Sequence, residues 1–186
     1  DGVVSVRNLL IACDPGATGW WFEGALDGID PSAAPNLDGI AVLRPPHPPP
    51  TGPSPHADAH PNGITDVDHV VVMSPDGERT VDAFAAAGLE LRRRRDTSMG
   101  GAPWVQWFFR PGSTIVELAA PLEPTGDGPA TLWGVTFVSD DLDGSVSSMG
   151  PHISEIRPAV QPGRRIASVR RSAGISTQIA VMDPHV

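Results

Sequence analysis

The chain has no lysine, no tyrosine and a single cysteine among its 186 residues. Arginine alone supplies the strong cations, a bias expected of a GC-rich genome rather than of a mechanism. Without lysine there is no phosphate loop of the Gly-x-x-x-x-Gly-Lys type, and the string Asp14-Pro15-Gly16-Ala17-Thr18-Gly19 is not one. The lone Cys13 excludes an internal disulfide and reads as a small buried hydrophobe. Basic residues are outnumbered 22 to 13, for a net charge of −9, which argues against an electrostatic nucleic-acid surface or an anionic membrane surface. No apolar run approaches the ~18 residues of a membrane span, and no signal-peptide pattern opens the chain. Cytoplasmic residence, with neither nucleic acid nor membrane as partner, is the expectation.

What is present suffices for one well-buried domain with an extension: 40% of residues are hydrophobic, including five Trp and five Phe. Residues 1–44 read as an N-terminal extension, either a partial copy of the unit described below or strands packed on a sheet edge. Within it, Val3 to Ala12 and Gly39 to Arg44 read as strands, Asp14 to Ala17 as a turn or helix start, and Trp20, Trp21 and Phe22 as a short helix. Residues 45–63 hold Pro45, Pro46, Pro48, Pro49, Pro50, Pro53, Pro55 and Pro61, which leaves room for neither helix nor central strand. An extended, polyproline-like linker is predicted there. Its His56-Ala57-Asp58-Ala59-His60 places ligand-type side chains two residues apart, a spacing that arises by chance in such segments.

Residues 64–186 contain one supersecondary unit written twice, over 66–121 and 131–184. Each copy opens on an apolar strand, Val67 to Met73 and Leu132 to Val138. Each continues into a short helix and three further strands, and closes on a strand ended by proline, Thr114 to Pro121 and Thr177 to Pro184. A repeat of this length fixes architecture. The helix over 78–88 is predicted to bury Val81, Phe84, Ala85 and Gly88. The second helix, capped at Asp140-Asp141, carries Leu142, Val146 and Met149. Further strands are predicted over 89–96, 104–110, 153–159, 164–171 and 175–182. The fold class is α+β: tandem βαβββ modules forming a cleft between curved mixed sheets.

With Asp68-His69-Val70-Val71-Val72 and Thr114-Ile115-Val116-Glu117-Leu118-Ala119-Ala120-Pro121 in the first module, and Gly134 to Asp143 in the second, the chain resembles the vicinal oxygen chelate superfamily (glyoxalase, bleomycin resistance, extradiol dioxygenase) over residues 66–184. The resemblance implies metal ligands on the opening and closing strands of each module, usually His or Gln and then Glu. The first module keeps both, His69 and Glu117. The second has Gly134 and Ala180 at the matching positions, which leaves the metal set incomplete, since catalytic divalent sites usually take three protein ligands. Gln178, two residues before Ala180 and so on the same strand face, is the nearest third donor. The resemblance also implies a homodimer.

Other candidates follow from residue type. His69 and Glu117 could act as an acid/base pair without metal. Arg92 and Arg94 could receive an anion, or simply solvate an edge strand. Trp104, Gln106 and Phe108 alternate with Val105, Trp107 and Phe109, so one set lines a binding face and the other a core. Thr136 belongs with the binding residues of the second opening strand. The expected function is small-molecule binding of the glyoxalase/bleomycin-resistance type, with an apolar or aromatic metabolite as ligand, no cofactor and no complete metal site. The alternative is a lyase or isomerase of the same superfamily, using His69 and Glu117 with a divalent metal or as an acid/base pair.

Overall fold

A computed structural model describes residues 3–6, 9–14, 17–22, 36–42, 62–112 and 114–185, with side chains before residue 62 described at 37–41 only. Thirteen strands and two α-helices are described: β1 (Val3–Val6), β2 (Leu9–Asp14), β3 (Ala17–Phe22), β4 (Asn36–Leu37), β5 (Ile40–Val42), β6 (Ile64–Met73), α1 (Gly77–Ala86), β7 (Leu91–Met99), β8 (Ala102–Phe109), β9 (Ile115–Pro121), β10 (Thr131–Ser139), α2 (Leu142–Met149), β11 (Arg157–Pro158), β12 (Arg165–Ser168) and β13 (Gln178–Met182). From β6 onward the order is βαβββ twice, as the repeat predicts. The chain divides into two compact units, Asp1–His47 with Val70–Trp133, and Pro48–His69 with Gly134–Val186.

In the first unit, β1 to β5 make a sheet of their own in the order β1-β2-β3-β5-β4. Where a short helix is predicted at Trp20-Trp21-Phe22, the chain instead runs as β3, paired antiparallel with β2 (Leu10 opposite Trp21). Contiguous bulky aromatics favour an extended backbone, and the hairpin overrides the capping signal at Asp14. The single strand expected over Val3 to Ala12 is likewise two, β1 and β2, paired antiparallel. The Cys13 side chain, the proline-rich segment up to residue 61 and His56, Asp58 and His60 lie outside the described residues.

The rest of that unit carries the order β6-β9-β8-β7. Helix α1 covers one face: the Phe84 ring meets Phe109 edge-on, with centroids 5.2 Å apart. Val105, Trp107 and Phe109 are buried on this side, with Val116, Leu118 and Ala120 of β9. The buried residues of α1 are Gly77, Thr80 and Phe84 rather than the predicted Val81, Ala85 and Gly88. Thr80 turns inward for its hydroxyl contacts, and Gly77 because nothing larger fits. A Cβ at Gly77 would come within 2.4 Å of the Trp107 ring and 2.9 Å of the Ala120 side chain.

The second unit carries the order β11-β12-β13-β10-β6, with β10 and β13 parallel and β12 antiparallel to β13. Leu142, Ile153, Ala167 and Val181 form its buried cluster, flanked by Val146 and Met149 as predicted for α2. The strands expected over 153–159, 164–171 and 175–182 are shorter than predicted. A 3-10 turn over Arg171–Ala173 takes the end of the second, and the third begins only at Gln178.

Both helices begin with the same hydroxyl device. Asp76 caps α1 by accepting from Arg79 N at 3.1 Å, and Asp141 caps α2 by accepting from Gly144 N at 2.9 Å. Ser74 and Ser139 accept from the amides of these caps at 3.0 and 3.1 Å. Thr80 and Ser145 close each ring through hydroxyl–hydroxyl bonds of 2.8 Å. The same two hydroxyls reach back to the segment ahead of each module, Thr80 to the Asp38 carboxylate and Ser145 to the Asn62 carbonyl. Asp38 also accepts from Arg79 Nε at 2.9 Å, and so ties the β4–β5 turn to α1.

Candidate functional site

Strand β6 carries Asp68 and His69 into the second unit. The Nδ1–H of His69 donates to Asp68 Oδ2 at 2.7 Å, and Nε2 shares a hydrogen bond of 3.0 Å with the Thr136 hydroxyl of β10. Asp68 is itself locked. Its Oδ1 accepts from Arg164 Nη2 at 2.6 Å, and the two side chains are only 1% and 2% exposed. Arg164 also donates to the Asp183 carbonyl through Nε at 2.8 Å, and its Nη1 lies 3.2 Å from His185 Nε2. Burial alone raises the pKa of Asp68. The hydrogen bonds from His69 and Arg164, together with their charges, outweigh it and hold the carboxyl below its ordinary value. Asp68 therefore stays a carboxylate and links the groups in a chain of hydrogen bonds: guanidinium, carboxylate, imidazole, hydroxyl.

Thr136 pairs with Ala180, and Gly134 with Gln178, on one face of the parallel β10–β13 pair. A side chain at Gly134 has no room: its Cβ would lie 2.9 Å from the Gln178 carbonyl oxygen and 3.1 Å from the Gln178 Cβ. Strand β13 occupies the space that an opening-strand ligand of the second module would need.

In the first unit, cross-strand register decides which residues share the face turned away from α1. Trp104, Gln106 and Phe108 are half-buried there, and Glu117 of β9 stands opposite Phe108. The carboxylate of Glu117 accepts from the Gln106 amide, and Gln106 Oε1 in turn accepts from Arg95 Nε at 2.9 Å. Arg95 lies over the Phe108 ring, 5.7 Å from its centroid. The arginines on this face are Arg93 and Arg95, opposite Phe108 and Gln106. Arg94, a sequence candidate, stands opposite Trp107 on the α1 side, 5.9 Å from that ring's centroid. Arg92, the other candidate, is the unmatched residue at the register shift between Leu91 and Arg93, and pairs with Glu90 at 3.1 Å. The shift is a β-bulge, which reverses the alternation that the sequence alone implies.

The structure thus brings His69 together with Thr136 in one unit, and Glu117 with Gln106 and Phe108 in the other. Sequence reasoning missed Asp68, Arg164, Arg93 and Arg95. Asp68, the residue just before His69, was the one visible signal. Arg164 is 96 residues from its partner, beyond the reach of any local pattern.

The resemblance implies a divalent metal held partly by His69 and Glu117, and the donor set does not fit one. His69 Nε2, the nitrogen that would face an ion, is bonded to the Thr136 hydroxyl, while Nδ1–H to Asp68 is a bond that a metal-ligating histidine also makes. The position that would add a donor, Gly134, is closed by Gln178. Among the described residues, no group of three or more His, Cys, Asp and Glu could hold an ion.

No protein-family model matches the chain, and no curated protein matches it. Solved structures do. The methylmalonyl-CoA epimerase of Mycobacterium tuberculosis superposes at a TM-score of 0.50, with 15% identity over 67% of this chain and 91% of that one. A selenomethionine form of methylmalonyl-CoA epimerase superposes at 0.50, with 20% identity over 64% and 95%. No helix among the described residues is long and apolar enough to cross a membrane. The tandem βαβββ order and these superpositions together give the chain the fold of the vicinal oxygen chelate, or glyoxalase/bleomycin-resistance, superfamily.

Proposed function

We propose that the chain is a small-molecule-binding protein of the glyoxalase/bleomycin-resistance type that works without a metal ion. The observation that carries this reading is the missing second-module ligand: Gly134 stands at that position with no room for a side chain against Gln178, and His69 Nε2 is bonded to Thr136. The Nδ1–H bond to Asp68 would itself suit a metal-ligating histidine, so the case against an ion rests on the missing donors around Nε2. The half-buried Trp104 and Phe108 offer a surface for a flat apolar or aromatic metabolite. The same reading takes the protein to be a cytoplasmic homodimer, which light scattering of the purified chain tests.

One observation favours a second reading, a lyase or isomerase. Asp68, fixed by Arg164, fixes His69 in turn, and a carboxylate that orients an imidazole is the arrangement used for proton transfer. The solved structures described as epimerases suit this reading at the level of fold alone. A thermal-shift screen of aromatic acids, amides and acyl thioesters separates the two. Stabilisation by a compound that mass spectrometry then recovers unchanged supports binding. A bound compound recovered isomerised or cleaved, with the conversion lost in His69→Asn, overturns it in favour of the second reading.

A further inference from the structure

We propose that Arg93 and Arg95 form a receptor for the carboxylate of a flat aromatic ligand, lying on the face of β8 that carries Trp104, Gln106 and Phe108. The inference rests on the small-molecule-binding reading above and names the class of ligand.

Four consecutive arginines, Arg92 to Arg95, lie on β7, in a chain whose net charge is −9. They are not equivalent. Arg92 and Arg94 are neutralised by Glu90 and Asp96, at 3.1 and 2.5 Å. Neither Arg93 nor Arg95, which share the face of Phe108 and Gln106, has an acidic partner among the described residues. Arg93, opposite Phe108, is exposed and makes no side-chain bond among them. Arg95 spends Nε and Nη2 on the neutral Gln106 and stacks over Phe108. Ion pairs thus take Arg92 and Arg94 and leave the cations of Arg93 and Arg95 available, beside two half-buried rings.

The chemistry of the ligand follows from this layout. A guanidinium that is already positioned by an amide and a ring loses little freedom on binding, and its fork matches the planar carboxylate. Glu117 shares the face, which leaves a formal charge of +1 across the three groups, and a monoanion matches it. Trp104 and Phe108 supply the stacking surface for a ring attached to that carboxylate. Gln106, bonded to Arg95 on one side and Glu117 on the other, keeps the anion-binding and acidic ends of the face apart.

Isothermal titration of the full chain with naphthoate and with its neutral amide, naphthamide, tests the proposal. The acid is expected to bind about tenfold or more tightly than the amide, with an affinity that falls as salt is raised. Arg93→Gln is expected to remove most of that advantage, as is Arg95→Gln. Arg171→Gln, which takes one positive charge from the other unit, leaves it in place. Equal affinity for acid and amide overturns the carboxylate receptor while the small-molecule reading stands. An acid preference that survives both arginine changes overturns it as well, as does absence of binding by either probe. Recovery of chemically altered naphthoate counts against the binding-only reading instead, and leaves the acid-to-amide ratio as the judge of the receptor.

Discussion

Replacing Arg164 with methionine is expected to lower the stability of the protein by about 3–5 kcal/mol, the usual cost of stranding one member of a buried ion pair. Arg164 and Asp68 are almost wholly buried, and the guanidinium makes bonds to Asp68 Oδ1 and to the Asp183 carbonyl that methionine cannot replace. The loss has a pH signature. Asp68 sits below its ordinary carboxyl pKa of 3.8 in the folded chain. A depressed folded pKa contributes stability that is present above the unfolded value and is lost as pH falls through the folded one. The gap between wild type and R164M is therefore widest near neutral pH and narrows below pH 3.8, where Asp68 takes up a proton and the stranded charge disappears. Urea titrations at neutral and acid pH measure both. Adding Asp68→Asn to R164M should recover part of the loss, because the pair is then removed rather than broken. A gap that stays constant through the acid range would show that the ion pair is not its source.

Phe84→Ala is expected to cost about 3–5 kcal/mol, as for a large aromatic side chain removed from a packed core. Phe84 is fully buried and its ring packs edge-on against Phe109. It anchors α1 to the side of β8 that carries Val105, Trp107 and Phe109. The candidate ligand face lies on the opposite side, so the two effects separate: thermal or urea unfolding should show the loss, while the folded fraction keeps its affinity for an aromatic ligand. Weakened binding in step with the lost stability would place the ligand on the α1 side.

Much of the fold was legible because it is local chemistry repeated. Ser74-x-Asp76 with Thr80, and Ser139-x-Asp141 with Ser145, write the same helix start twice, and the apolar opening and proline-closed final strands frame it. Phe84 and Leu142 were readable as core from their spacing. The tilt of α1 was not, because Gly77 is buried by the Trp107 ring that lies 30 residues on. The side of β8 that meets the helix was equally hidden, since a strict alternation has two solutions and only the partner chooses. In β7 a bulge after Leu91 turned Arg93 and Arg95, rather than Arg92 and Arg94, toward the candidate face. His69 and Glu117 were visible by residue type and position. Their actual partners, Asp68 with Arg164 and Gln106 with Arg95, depend on strand pairing that no short motif encodes. At Trp20 to Phe22 the capping signal at Asp14 points to a helix, while pairing with β2 makes a strand.

The central claim is that the site works without a metal, and elemental analysis of the purified chain tests it most directly. Wild type and Glu117→Ala would be equilibrated with zinc, manganese and nickel, desalted and analysed together. Closure of Gly134 by Gln178, and the lack of any group of three ligand-type side chains among the described residues, predict no stoichiometric ion in either protein. A stoichiometric ion in the wild type that Glu117→Ala abolishes would contradict the claim.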